Sequence, residues 1–124
     1  DRISKVQFSS LPTFSEQISQ KVVHQANHFE LTVEPSMLEK SGVLSNGVLT
    51  EVLTTITRQL MINTGKNLII EQLLVYYLQA VQVDDTLRIE TRIVRQTRRS
   101  AIIDFDLYLN LQLVSKATVT LKIN

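Results

Sequence analysis

The feature that most constrains the fold is one long amphipathic helix with strand patterns after it. The helical spacing of apolar residues predicts this helix over residues 46–64. The residues on its apolar face are Val48, Leu49, Val52, Leu53, Ile56 and Leu60. Ser45 or Asn46 is a suitable N-cap, and Gly65 is a suitable stop. The chain therefore has a helix of about five turns whose apolar face must be covered.

Strand patterns on both sides of the helix can supply that cover. Residues 68–81 are almost continuously apolar, which predicts a long strand covered on both faces for much of its length. Segments with two-residue alternation follow at residues 87–94, 103–110 and 113–123. Before the helix, alternation over residues 29–33 predicts one further strand. The pattern predicts an α+β fold in which a long antiparallel sheet wraps around one central helix.

Length and composition favour one domain, since 124 residues can bury a stable core. We expect residues 1–16 to form a lead-in or linker and residues 17–124 to form the domain. Residues 17–25 fit either a short helix or a first strand. Because Asp1 stands where an initiator methionine would, an equal expectation is one module of a longer protein.

Charge and residue content exclude several classes of protein. A formal net charge of +1 argues against a dedicated nucleic-acid binder. The absence of cysteine excludes a disulfide-stapled module, a thiolate nucleophile and a cysteine zinc site. Since no apolar run reaches the roughly 18 residues that cross a bilayer, we expect a cytoplasmic protein without membrane contact. His24 and His28 lie far in sequence from other ligand types, and we expect no metal site.

The turn before the helix carries the strongest functional signal. Gly42 and Gly47 bracket a segment that runs straight into the helix. The first amide N–H groups, with the positive end of the helix dipole, then face outward and suit a carbonyl or an oxyanion. The alternative is that Asn46 and Gly47 form an ordinary tight turn and a helix cap.

In the order and spacing of these segments, the chain resembles the hotdog-fold superfamily, in which a curved antiparallel sheet wraps a central helix. The similarity covers residues 28–124. It is carried by Phe29-Glu30-Leu31-Thr32-Val33-Glu34-Pro35-Ser36-Met37, by the turn at residues 42–47, and by Tyr77-Leu78-Gln79-Ala80-Val81-Gln82-Val83-Asp84-Asp85-Thr86-Leu87. The most similar subgroup is the acyl-CoA thioesterases of the phenylacetate and 4-hydroxybenzoyl type.

The resemblance implies a homodimer whose sheets join edge to edge, with acyl-CoA sites at the dimer interface. Pairing of dimers into a tetramer stays open. In that family a His-Gly-Gly turn opens the helix, and a backbone N–H there polarises the thioester carbonyl. A carboxylate about two helical turns further on activates water or attacks the carbonyl. Coenzyme A is then part of the substrate, and no separate cofactor is implied.

This chain departs from the family pattern at three positions. Ser45 replaces the histidine, Asn46 replaces the first glycine, and Thr54 replaces the acid. The resemblance leaves Gly47 as the donor to the carbonyl, with Ser45, Asn46 and Thr54 as substrate contacts. Glu51 is the only acidic residue on the helix and therefore the candidate base or nucleophile. Its alternative role is that of a solvated or ion-paired helix residue.

A cluster of arginines offers a second candidate contact with the substrate. Its members are Arg88, Arg92, Arg95, Arg98 and Arg99. Arg98 and Arg99, at a predicted hairpin tip, are the candidates for binding the phosphates of coenzyme A. The alternative is a solvated strand face. Tyr76 and Tyr77 are interpreted as core or interface residues, with one hydroxyl in reach of the pocket.

Three functions stay open from the sequence. An acyl-CoA thioesterase would use Gly47 and Glu51 to hydrolyse a thioester. A non-catalytic regulatory module would bind acyl-CoA without turnover, having lost the histidine and the acid. A dimerisation module would bind no ligand at all. A rise in melting temperature with coenzyme A separates the second function from the third.

Overall fold

The structure, a computed structural model, describes residues 13–124 as a six-stranded antiparallel sheet with two α-helices. The helices are α1 (Phe14–Lys21) and α2 (Asn46–Leu60). The strands are β1 (Val22–His24), β2 (Phe29–Thr32), β3 (Leu68–Tyr77), β4 (Thr86–Gln96), β5 (Ser100–Leu109) and β6 (Gln112–Ile123). Short 3-10 turns at Pro35–Met37 and Ile62–Thr64 flank α2.

The strand order in the sheet is β1-β2-β4-β5-β6-β3. Every neighbouring pair is antiparallel. Strand β3 therefore lies at one edge, because the last strand of the chain, β6, separates it from β5. Among the described residues, β3 pairs only with β6.

The core lies between the apolar face of α2 and the inner face of the sheet. The helix contributes Val48, Leu49, Val52, Leu53 and Ile56, and the sheet contributes Leu87, Ile89, Ile103, Phe105, Leu107, Val119 and Leu121. All of these side chains are buried in one cluster. Each contributes about 1.5–3 kcal/mol relative to an exposed position. The predicted architecture, a long sheet wrapped around one apolar helix, is confirmed.

Helix α2 ends at Leu60, short of the predicted residue 64, because the chain tightens into the 3-10 turn Ile62–Thr64. Gly65 then stops the segment in the left-handed conformation, at φ +64°. Thr57 is a polar residue of α2 but is only 1% exposed. It lies about 40° around the helix from Leu53, which places it at the rim of the apolar stripe. Its Oγ1 has no hydrogen-bond partner in the described part of the chain.

The ambiguous residues 17–25 contain both a helix and a strand, since α1 continues into β1. Helix α1 begins at Phe14, inside the predicted lead-in of residues 1–16, and residues 1–12 of that prediction lie outside the described residues. Thr13 Oγ1 caps α1 by accepting from the Glu16 amide at 3.1 Å. Ile18 is buried in the common core. The fold thus has a short second helix that the sequence pattern did not define.

Strand β3 differs from its prediction of cover on both faces. Its inward side chains pack on the core, but Ile69 and Leu74 are 47% and 46% exposed. Tyr76 is also exposed. The apolar run alone does not distinguish a central strand from an edge strand, and β3 is an edge strand with one face uncovered.

Candidate functional site

The turn before α2 is fixed against the segment that follows β3. Gly42 takes φ +85°, and a Cβ built on it would lie 3.2 Å from the Cβ of Ala80. The Gly42 carbonyl accepts from the Val81 amide at 2.8 Å, and the Ser45 amide donates to the Met37 carbonyl at 2.8 Å. These contacts place the start of α2 beside the end of β3.

The first turn of α2 presents two free amide donors. Ser45 is the N-cap, and its Oγ accepts from the Val48 amide at 3.2 Å. Leu49 N–H bonds to the Ser45 carbonyl at 3.0 Å. Within residues 13–124, the amides of Asn46 and Gly47 have no acceptor. Free N–H groups at the positive end of a helix dipole favour a carbonyl oxygen or an anion.

Gly47 leaves open space above these donors. A Cβ built on Gly47 would meet no atom within 4 Å, and its φ is not positive. Neither the backbone nor the packing of the described residues therefore demands a glycine. Asn46 and Gly47 are both helical, so they form the first turn of α2 and do not form a tight turn before it.

The Asn46 side chain is held by a residue from another element. The Tyr77 hydroxyl donates to Asn46 Oδ1 over 2.8 Å. Tyr77 is the last residue of β3, and partial burial, with the negative charge of Glu39 as the smaller cause, raises its pKa above 10.0. The hydroxyl therefore stays protonated at neutral pH. The sequence placed one tyrosine hydroxyl within reach of the site, but no spacing identified Tyr77 or its partner.

Glu51 and Thr54 lie on the same helix face as Gly47, because residues spaced by four and seven share a face. Both side chains are half-buried. Ser15 Oγ on α1 donates to Glu51 Oε2 at 2.6 Å. Helix α1 thus lies against this face and holds one carboxylate oxygen, so Glu51 is not simply a solvated residue. No sequence pattern indicated the Ser15 contact.

Arg98 and Arg99 lie in the β4–β5 hairpin, at an open cleft of about 770 Å³. The cleft is lined by Lys66, Thr97, Arg98, Arg99, Lys122, Ile123 and Asn124. Within residues 13–124, none of its four cations forms an ion pair with a carboxylate. Arg88 and Arg92, by contrast, pair with Glu90 and Asp104 on the outer sheet face. The unpaired cations of this basic cleft suit a phosphate-bearing ligand.

Within one protomer the basic cleft and the start of α2 are far apart. Ile123 lines the cleft and pairs with Leu68, the first residue of β3. The cleft therefore lies at the N-terminal end of β3. Asn46 contacts Tyr77 at the other end. Ten residues of strand span roughly 30 Å. One protomer therefore does not bring Arg98 and Arg99 to the helix start.

A small apolar cavity lies behind the Tyr77 ring. Its lining residues are Leu44, Tyr77, Gln79, Val81, Leu87, Leu107, Val114 and Ser115. Its volume of about 10 Å³ holds no more than one water-sized group. The Tyr77 side chain is thus in contact with the core on one side and with Asn46 on the other.

The two histidines have structural contacts at the far edge of the sheet. His24 stacks on Phe29 with ring centroids 4.3 Å apart, and His28 Nε2 lies 2.9 Å from Glu30 Oε2. No group of three metal-ligand side chains occurs within residues 13–124. In the same part of the chain, neither helix combines the length and apolar character needed to cross a bilayer.

Comparison with known proteins places this geometry in a family. One relative is the uncharacterized protein YtoI of Bacillus subtilis (strain 168), 25% identical over 96 residues. That match covers 77% of this chain and 22% of the relative, so the chain spans about a fifth of the relative's length.

Two solved structures share the fold. A hypothetical thioesterase from Streptococcus pneumoniae TIGR4, solved with coenzyme A, is 25% identical with a TM-score of 0.71, covering 83% of this chain and 84% of its own. A phenylacetic acid degradation-related protein of Ralstonia eutropha JMP134 is 20% identical with a TM-score of 0.73, covering 98% and 99%. The sequence profile of the thioesterase superfamily matches residues 41–110, from the turn before α2 to the end of β5. Since that match includes more than half of the chain, the chain belongs to the thioesterase superfamily and has its hotdog fold.

Proposed function

We propose that this domain binds an acyl-CoA thioester at the start of α2 and hydrolyses it. The observation that carries the proposal is the pair of free amides at Asn46 and Gly47, with open space above Gly47. Preorganised N–H donors at a helix start stabilise the charge that develops on a thioester oxygen. Membership of the thioesterase superfamily, and the coenzyme A in the Streptococcus pneumoniae structure, support an acyl-CoA as the ligand.

A homodimer formed through β3 is the second part of the proposal. Among residues 13–124 no strand pairs with the outer edge of β3, and its exposed apolar side chains add to a template for pairing with another chain. An antiparallel two-fold pairing near the middle of β3 would set the Tyr77 end of one protomer beside the first residues of the partner's β3. The partner's basic cleft would then lie beside the start of α2, and its arginines would contact the coenzyme A phosphates.

In the proposed hydrolytic step, Glu51 is the general base. Water attacks the carbonyl carbon while Glu51 accepts its proton, and the Asn46 and Gly47 amides hold the oxyanion. When the intermediate collapses, the C–S bond breaks, and coenzyme A leaves as the thiol with the proton that Glu51 returns. The second product is the free carboxylic acid. Ser15 fixes the carboxylate through Oε2, which leaves Oε1 for the water.

A non-catalytic acyl-CoA-binding module is the second candidate function, and two observations favour it. Glu51 is already engaged by Ser15 at 2.6 Å. Thr54, at the position of the family acid, cannot act as a general base unaided. In this alternative, acyl-CoA stabilises the fold without being consumed.

Release of free thiol from a series of acyl-CoAs tests the proposal. We expect the wild-type protein to release coenzyme A, and Glu51→Gln to lower the rate about 100-fold or more. Glu16→Gln, an exposed carboxylate on α1, is the matched control and should match wild type. A rise in melting temperature without thiol release would favour the binding module. If no acyl-CoA causes either thiol release or a thermal shift, both functions are excluded.

A further inference from the structure

The hydrogen bond between Tyr77 and Asn46 fixes which end of the Asn46 carboxamide faces outward. A carboxamide has an acceptor oxygen and a donor nitrogen on opposite sides. Since the Tyr77 hydroxyl occupies Oδ1, Nδ2 must point away from Tyr77. Within residues 13–124, Nδ2 has no acceptor of its own. Asn46 therefore adds a side-chain donor to the helix turn that already carries two free amides.

Tyr77 is well placed to hold that orientation. Strand β3 fixes its backbone, and the amides of Leu78 and Gln79, just beyond, both bond to the Val114 carbonyl, at 3.0 and 3.2 Å. Tyr77 also lines the small apolar cavity next to the core. The raised pKa keeps the hydroxyl a neutral donor.

We propose that Tyr77 is a positioning residue, which orients the Asn46 carboxamide so that Nδ2 donates to the same thioester oxygen as the amides of Asn46 and Gly47. The inference rests on the proposed function. It also gives a role to the side chain that stands where the family has a glycine. Asn46 then supplies two donors to the carbonyl, one from its backbone and one from its side chain.

Two probes test the inference without requiring turnover. The first is coenzyme A, and the second is an acyl-CoA analogue with a methylene in place of the thioester sulfur. Both carry the coenzyme A moiety, but only the ketone analogue has an acyl group with a carbonyl at the thioester position. The ratio of their affinities reports on recognition of the acyl group with its carbonyl, and a change in that ratio on removing one hydroxyl group reports on the contact with the carbonyl.

Wild type should bind the ketone more tightly than coenzyme A. Tyr77→Phe should reduce that affinity ratio about fivefold, the effect of one hydrogen bond, and keep coenzyme A affinity within about twofold. Asn46→Gly should reduce the ratio at least as much, and adding Tyr77→Phe to it should change the ratio no further. Tyr76→Phe, the exposed neighbour, is the matched control and should keep the wild-type ratio.

Each other outcome has a defined meaning. A merely structural tyrosine would lower the melting temperature and the affinity for both probes together, which would overturn the positioning role. A wild-type ratio in Tyr77→Phe, or effects of Tyr77→Phe and Asn46→Gly that add, would also overturn it while leaving acyl-CoA binding intact. If wild type binds neither probe, the proposed function fails and the positioning role fails with it.

Discussion

At the scale of single residues, the two glycines that bracket the turn before α2 have different surroundings. Gly42 combines φ +85° with close approach to Ala80, so its conformation excludes a side chain. Gly47 is helical and faces open space. A methyl group at Gly42 therefore acts on folding, whereas one at Gly47 acts on whatever occupies the space above the free amides.

We predict that Gly47→Ala keeps or raises the free energy of unfolding, by up to about 1 kcal/mol, since alanine is the better helix former. The same change should lower thiol release and acyl-CoA affinity, because the new methyl group blocks approach to the free amides. Thermal melting and the thiol assay on one preparation measure both. A Gly47→Ala variant with wild-type turnover would place the carbonyl somewhere else.

Gly42→Ala is the matched variant with the opposite effect. A non-glycine residue in the left-handed region costs about 1–2 kcal/mol, and the 3.2 Å approach to Ala80 adds to that cost. Urea denaturation should show a lower midpoint with an unchanged slope. An unchanged midpoint would mean that the turn relaxes without disturbing the loop after β3.

Tyr77 also predicts a pH dependence of stability. Its pKa is raised above 10.0 in the folded protein, so the unfolded chain loses the phenolic proton at lower pH than the folded one. The contribution of Tyr77 is therefore complete below pH 10.0 and is lost as pH rises from there through the folded pKa. Tyr77→Phe should show a shallower loss of stability above pH 10.0 than wild type in urea titrations. Tyr76→Phe is the control, and equal slopes for wild type and Tyr77→Phe would contradict the prediction.

Part of the candidate site was predictable from sequence. Cap chemistry and apolar spacing identify Ser45 and the start of α2, because both are local. The contacts of Tyr77 with Asn46 and of Ser15 with Glu51 join residues 31 and 36 positions apart. Spacing within one element carries no information about such pairs, since packing between elements creates them.

At the scale of elements, the strands and the helix were predictable, but the position of each strand in the sheet was not. Alternation in β4, β5 and β6 indicates one buried face, which a strand has at any position in a sheet that packs against a helix. The apolar run of β3 indicates cover on two faces, and the protomer covers only one. The prediction and the structure therefore differ in the outer face of β3. We assign this exposed face, with the edge of β3, to the proposed dimer.

We predict that Leu74→Lys on β3 shifts the protein from dimer to monomer, because a charge at the proposed interface must be desolvated on pairing. Analytical ultracentrifugation over a range of protein concentrations measures the shift. Val23→Lys, a similarly exposed position on the opposite edge strand β1, is the matched control and should stay dimeric. A monomeric wild type, or a dimer untouched by Leu74→Lys, would rule out pairing through β3.

At the scale of the whole molecule, the basic cleft and the start of α2 lie roughly 30 Å apart on one protomer. The site that we propose therefore requires the proposed dimer, with the helix start of one protomer and the cleft of its partner. The proposed dimer would have two such shared sites. A substitution at the helix start and a substitution in the cleft of the same protomer would then affect different sites.

This sharing predicts complementation between two inactive variants. Glu51→Gln disables the helix end, and the double change Arg98→Ala with Arg99→Ala disables the cleft. Random mixing gives dimers of which half are mixed, and each mixed dimer has one intact site, so activity should recover to about a quarter of wild type. Thiol release after mixing and subunit exchange measures the recovery. No recovery, with mixed dimers verified by mass, would mean that each site lies within a single protomer.

The strand order also governs when the fold can be completed. In the part of the chain that the structure describes, β3 joins the sheet only through β6, and its register pairs Leu68 with Ile123. During synthesis β3 therefore emerges well before β6, and until β6 has emerged β3 lacks the strand with which it pairs. Such long-range pairing slows folding and prolongs the exposure of apolar, aggregation-prone segments. A ribosome-bound chain that lacks residues 112–123 would contain α2 and β3 but not β6, the strand that pairs with β3 and packs in the same core as α2.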